Sequence, residues 1–324
     1  MFVPRAILSA LPQHHAVAKV AIVAVCLVGA TLVYWRLGVV ASVAHGDGDQ
    51  PVFSDVDAGS RYRVAVCDWM ILKRQKVGAF PLSKEIGADG VEVDMGSLGS
   101  RPNFDNKLAD AAVRQTFMDA ARSNQVEIAS MAMSAFYQQS FAERENIDAM
   151  LKGCFETMKA MGVRVAFLPL GVAGDLVKRP QIRPAIVTRL KLAGRMAQEY
   201  GVVVGIETAL DAAGEARLLD EVGSPAVKSY FNVSNSLQND RDVSAEIRKL
   251  GRNRIVQIHA TNTDGVWLEK DPQVNMQQIK TTLDEIGWRG WLVVERSRDA
   301  RRAKDVRYNF SANVSYLKKV FQSK

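Results

Sequence analysis

A (β/α)8 barrel is predicted for residues 62–324, and three observations predict it. Eight short runs rich in Val and Ile alternate with eight segments of helical period. Glycines stand at the helix-to-strand junctions (Gly87, Gly162, Gly201, Gly223, Gly251 and Gly287), where a helix C-cap glycine belongs. No Gly-rich phosphate loop follows any strand, which argues against the rival open, doubly wound sheet. The strand runs are RVAVCDWM (63–70), GVEVDM (90–95), VEIASMAM (126–133), VRVAFLPL (163–170), VVVGIET (202–208), VKSYFNV (227–233), IVQIHA (255–260) and WLVVERS (291–297). Helices are predicted near 79–87, 106–123, 143–161, 181–200, 211–222, 243–250, 274–286 and 303–321.

Residues 1–44 read differently. VAIVAVCLVGATLVYW (20–35) is uncharged and apolar, Lys19 precedes it, and LGVVASVA follows Arg36. A core helix usually has a polar face, and this run has none. It is read as an export signal, with small residues Ser42 and Ala44 near a cleavage point, or as a retained membrane anchor over 20–44. A bilayer span takes about 20 residues. Residues 45–61, Gly- and Asp-rich, read as a linker. The barrel is therefore expected to be exported, periplasmic or tethered to the membrane.

Composition sets further bounds. Hydrophobic residues at 48% and charged residues at 24% suit a folded core. Three of the seven net positive charges (Arg5, Lys19, Arg36) lie in residues 1–44, so the remainder carries +4, too little to argue for a nucleic-acid partner. Cys67 and Cys154 have no CxxC neighbour and sit in core-like patterns, so both read as buried thiols.

In such barrels the site lies at the C-terminal ends of the strands. Strand five ends in Glu207, six in Asn232, seven in His259 and eight in Glu295. Alternation places Val203, Gly205 and Glu207 on one face, and Trp291, Val293 and Glu295 on another. His259 is the only histidine after residue 45. Four such ligands from adjacent strands suit a divalent cation, Mn, Mg, Co or Zn, which would neutralise an otherwise costly buried Glu295. A neutral amide is the weak member of that set, and Asn232 has an alternative use as a cap or turn residue in NVSNS. Asp68, Trp69, Glu92 and Tyr137, at or after other strand ends, are candidate substrate contacts, with the indole offering a stacking face.

The segments GIETAL, YFNVSNS, QIHATN and WLVVERS, in that order, resemble the xylose isomerase-like TIM barrels, the sugar phosphate isomerases and epimerases, over roughly 62–322. The resemblance implies that Glu207, Asn232, His259 and Glu295 hold a divalent metal, and that Glu207 and Glu295 move a proton on a sugar carbon next to a carbonyl. Asn232 departs from the family's Asp, and Thr261 and Asn262 depart from Lys and Asp. The ligand set then carries −2 rather than −3, which implies weaker metal binding. Three functions stay open: a sugar isomerase or epimerase, a lyase or dehydratase on keto-sugars using the same site, and a sugar-binding barrel without catalysis. An endonuclease on this fold is disfavoured, because such sites need several histidines.

Overall fold

The computed structural model describes residues 60–323. The signal or anchor expected at 1–44 and nearly all of the linker lie outside the described residues. Among the described residues, no helix is long and apolar enough to cross a membrane.

Eight parallel strands close into a barrel in sequence order: β1 Tyr62–Cys67, β2 Gly90–Asp94, β3 Glu127–Ala132, β4 Val165–Pro169, β5 Val203–Glu207, β6 Val227–Asn232, β7 Ile255–His259 and β8 Gly290–Val294. The α-helices are α1 Ala79–Glu85, α2 Ala111–Asn124, α3 Ile147–Met161, α4 Arg183–Tyr200, α5 Ala212–Val222, α6 Val233–Leu237, α7 Val243–Leu250, α8 Met276–Glu285 and α9 Val306–Phe321. Eight of them fall on the predicted segments. Only α6 is additional, a short turn that begins where the Asn232 side chain caps it.

Strand alternation divides the core in two. Val64, Val66, Val204, Ile206, Leu292 and Val294 point outward and pack with helix residues such as Ile186, Leu190, Phe310 and Leu317. Ala65, Cys67, Phe167, Tyr230, Trp291 and Val293 fill the barrel. At its N-terminal end the Arg63 guanidinium lies 4.0 Å over the Trp291 ring and pairs with Glu127 at 2.5 Å. Higher up, Phe167 and Tyr230 meet edge to face at 4.5 Å. These side chains plug the floor and middle of the barrel, beneath the C-terminal mouth where sites of this fold lie.

One buried carboxyl lies outside the barrel bore. Glu215 of α5 accepts a hydrogen bond from Thr208 Oγ1 at 3.0 Å on Oε2, while Oε1 has no partner. Burial pushes it from 4.5 up to about 7. The unfolded chain ionises first, so this group's contribution is present in full below pH 4.5 and is lost as pH rises through about 7. The span is worth on the order of 3 kcal/mol. Glu215→Gln, which keeps an acceptor for Thr208, is expected to raise stability by up to that amount at pH 8 and to leave it nearly unchanged at pH 4. Urea unfolding at the two pH values checks this; an equal effect at both removes ionisation as the cause.

Candidate active site

Glu207, Asn232 and His259 are the last residues of β5, β6 and β7, and Glu295 follows the last residue of β8. All four are buried at the mouth. His259 Nδ1 sits 2.8 Å from Glu207 Oε2 and 4.0 Å from Glu295 Oε2. Tyr137 enters from a 3-10 turn after β3 (Ser134–Tyr137), and its hydroxyl lies 3.1 Å from Glu207 Oε1 and 3.0 Å from Glu295 Oε1. One phenolic proton thus faces two carboxylates. Burial, then Glu207 and Glu295, push this phenol well above the usual tyrosine range. Burial also raises Glu295, opposed by His259 and reinforced by Glu207. With one O–H between two carboxyl groups, a proton held on Glu295 lets both contacts be hydrogen bonds.

Asn232 is placed by its backbone. Its Oδ1 accepts from Ser234 N at 2.9 Å and so caps α6, while Nδ2 donates to Glu207 Oε2 at 3.0 Å. The amide turns N–H, not oxygen, toward the site. His259 is held from both sides, with Nε2 3.2 Å from Glu92 Oε1. Burial works against a charged imidazole, but the Glu207 and Glu92 carboxylates outweigh it and lift His259 to about 10.

This arrangement decides whether the four expected ligands fit a cation. Asn232 presents no lone pair, and the Tyr137 hydroxyl spans the two glutamates. Among the described residues, the one trio of His, Cys, Asp or Glu whose ligand atoms lie within 4.8 Å of one another is Cys67, Glu92 and His259. Glu207, Asn232, His259 and Glu295 as arranged therefore do not fit a common ion.

The substrate candidates separate. Trp69 is half-buried and, like Tyr137, packs against the cluster that fills the barrel interior. Glu92 points into the bore beneath it: Oε2 accepts from Ser130 Oγ at 2.7 Å and Tyr230 OH at 2.8 Å. Asp68 corrects the expectation of a substrate contact. It is fully buried, and its oxygens accept from Gln75 N at 2.9 Å and Asp94 N at 3.2 Å, tying the β1 loop to β2. Burial, then neighbouring Asp94, push Asp68 well above the carboxylate range, while burial raises Asp94 to about 6. The reason is where β1 stops. Met70 N and Ile71 N both bond Cys67 O at 3.1 Å, so the chain turns at Cys67 and that residue, not Asp68, becomes the inward-facing strand end.

Arg296, beside Glu295, faces outward as strand alternation has it. Its side chain is half-exposed, and Nε lies 4.0 Å from Glu295 Oε1. Two surface clefts lie elsewhere, one beside Ile71, Leu82 and Arg307, the other beside Arg63, Asp89 and Glu127, and neither reaches the mouth. The sequence gives no sign of Cys67 and Tyr230 as neighbours of His259, or of Ser130 as a partner of Glu92. Gly171 is equally silent, although a Cβ there would lie 2.5 Å from the Tyr137 Cα.

A closed parallel barrel with buried carboxylates, an imidazole and a phenol gathered at its C-terminal mouth defines an enzyme-like (β/α)8 protein. The chain belongs to the xylose isomerase-like TIM barrel family, whose sequence model matches residues 80–319. No curated protein matches its sequence. Among solved structures it is similar to a xylose isomerase domain protein from Planctomyces limnophilus (TM-score 0.59, 16% identity, 81% of this chain and 99% of that one). It is also similar to the D-psicose 3-epimerase of Clostridium cellulolyticum H10 with D-tagatose (TM-score 0.64, 12% identity, 80% and 99%). A third is a sugar phosphate isomerase/epimerase from Parabacteroides distasonis (TM-score 0.61, 14% identity, 83% and 98%). At these identities the likeness is one of fold.

Proposed function

We propose that this protein is a sugar isomerase or epimerase that moves a proton on a carbon next to a carbonyl. The observation that carries the reading is the pair Glu207 and Glu295, delivered by β5 and β8 to one buried mouth and spanned by the Tyr137 hydroxyl. Glu207, whose Oε2 is held by Asn232 and His259, offers Oε1 as the base. Glu295, whose proton is favoured by burial, is the acid. A carboxylate alone removes such a proton slowly, so the developing enediolate oxygen needs a donor. The Tyr137 hydroxyl faces both carboxylates and supplies it. Trp69 offers an apolar face for a sugar ring at the same mouth.

Proton return to the opposite face of the same carbon gives an epimer. Return to the adjacent carbon gives an aldose–ketose interconversion. Support for a carbohydrate substrate comes from the family and from neighbours of the same fold that act on D-psicose and D-allulose. The apolar run at 20–35 adds the proposal that the enzyme acts outside the cytoplasm, free or tethered.

The test is incubation of the full chain with ketohexoses and keto-sugar glycosides in deuterated water, followed by NMR. Deuterium at the carbon beside the carbonyl, together with a new epimer or isomer, is the expected result. Loss of a leaving group without an epimer assigns the lyase chemistry instead. Sugar binding with no exchange leaves a non-catalytic barrel and overturns the proposal.

A further inference from the structure

We infer that Cys67, Glu92 and His259 form a site for one thiophilic divalent ion of the zinc class, set below the two glutamates of the mouth. It shares His259 with the ligand set the fold family implies but takes Cys67 and Glu92 in place of Glu207, Asn232 and Glu295, and it does not depend on the isomerase reading.

The distances carry the inference. Cys67 Sγ lies 3.5 Å from Glu92 Oε1 and 4.0 Å from His259 Nε2, and Nε2 lies 3.2 Å from the same Oε1. Zinc bonds of about 2.3 Å to sulfur, about 2.1 Å to nitrogen and about 2.0 Å to oxygen, spread at tetrahedral angles, separate those ligand pairs by about 3.5, about 3.6 and about 3.3 Å (S···O, S···N and N···O). Each observed separation falls within about 0.4 Å of that edge. All three side chains have no solvent exposure.

The surroundings already orient the ligands. Ser130 and Tyr230 occupy Glu92 Oε2 and leave Oε1 facing Cys67 and His259. Glu207 Oε2 at 2.8 Å from His259 Nδ1 directs Nε2 inward, the carboxylate–histidine–metal relay seen when imidazole binds zinc. Register places Cys67 directly opposite Glu92 on the neighbouring strand, so two ligands come from one rigid rung of the barrel. A thiolate disfavours Mg and favours Zn or Co. On binding, the thiol and Nε2 protons leave to solvent, and the ion takes Sγ, Nε2 and Oε1 as three ligands. Three protein ligands leave one position of a tetrahedral ion for water or a substrate oxygen.

Cobalt reports sulfur ligation directly. Full-length protein, stripped with a chelator and titrated with Co(II), is expected to bind one equivalent with a near-ultraviolet sulfur-to-cobalt charge-transfer band, and Zn(II) is expected to abolish the band by displacement. Cys67→Ser should lose the band and weaken Zn(II) binding beyond the ~10–100-fold that outer partners supply. Glu92→Gln should weaken it likewise. Cys154→Ser and Glu295→Gln should change neither. Circular dichroism of each variant separates lost binding from lost fold, and the wild-type spectrum stands without any variant. No bound Co(II), or binding without the band, overturns the site. So does binding abolished by Glu295→Gln and untouched by Cys67→Ser, which would put the ion at the rim. None of these readouts requires turnover, so they remain informative if the isomerase reading fails.

Discussion

Glu295→Gln is expected to lower turnover by about 10²–10⁴-fold, the range for a positioned acid or base, with the barrel intact. The amide keeps the shape of the side chain and its contact with Tyr137 Oη, but it carries no transferable proton. Glu207→Gln should lose a similar factor. The two variants separate by isotope exchange. With Glu295 replaced, Glu207 still removes the proton from its own face and returns deuterium there, so one epimer exchanges and no second epimer forms. With Glu207 replaced, the opposite epimer alone exchanges. Retention of full activity in either variant, or exchange of both epimers in both, removes the two-carboxylate mechanism. Because Glu295 favours its proton through burial, its loss differs from that of a surface glutamate, whose replacement is nearly silent.

The sequence pattern exposes some of this site and hides the rest, for identifiable reasons. Glu207, His259 and Glu295 are visible because each stands at the end of an apolar run, where the alternation of a strand fixes its face. The helix ends are visible because Gly162, Gly201 and Gly223 adopt the left-handed conformation that closes α3, α4 and α5. Cys67 is hidden because RVAVCDWM stays apolar past the true end of β1. Reading the strand through to Met70 hands the terminal role to Asp68. Asn232 is half-visible. Its amide oxygen is committed to a five-residue helix too short to show a period, and that commitment turns its N–H toward Glu207. Tyr230 is hidden by the register shift between Ser229 and Tyr230, which alternation cannot anticipate. Tyr137 is visible as a candidate after β3, but its position between Glu207 and Glu295 is not, because that depends on how a loop packs against a distant glycine.

That dependence gives the second large effect. Gly171 follows β4, and a Cβ at this position would stand 2.5 Å from the Tyr137 Cα and 2.8 Å from its carbonyl oxygen. The same carbonyl accepts from Val172 N at 3.1 Å, so the two backbones are locked together there. Gly171→Ala must push the Tyr137 turn away, since neither contact is a flexible side chain. A displacement of about 1 Å suffices to cost about 10²-fold in rate when it misplaces a reacting group, and the hydroxyl between Glu207 and Glu295 has no slack at 3.1 and 3.0 Å. Gly171→Ala is therefore expected to lower kcat by about 10²-fold and to lower Tm. Tyr137→Phe should lower kcat by a comparable factor and lower Tm modestly, because it leaves two buried carboxyl groups without their shared partner while the turn stays undisturbed. The comparison is what tests the idea. If Gly171→Ala slows turnover while Tyr137→Phe does not, the glycine acts through some other part of the mouth and the hydroxyl is not part of the chemistry. If both slow turnover and the double variant is no slower than the worse of the two, the close approach of the β4 loop is what places the donor over the two carboxylates.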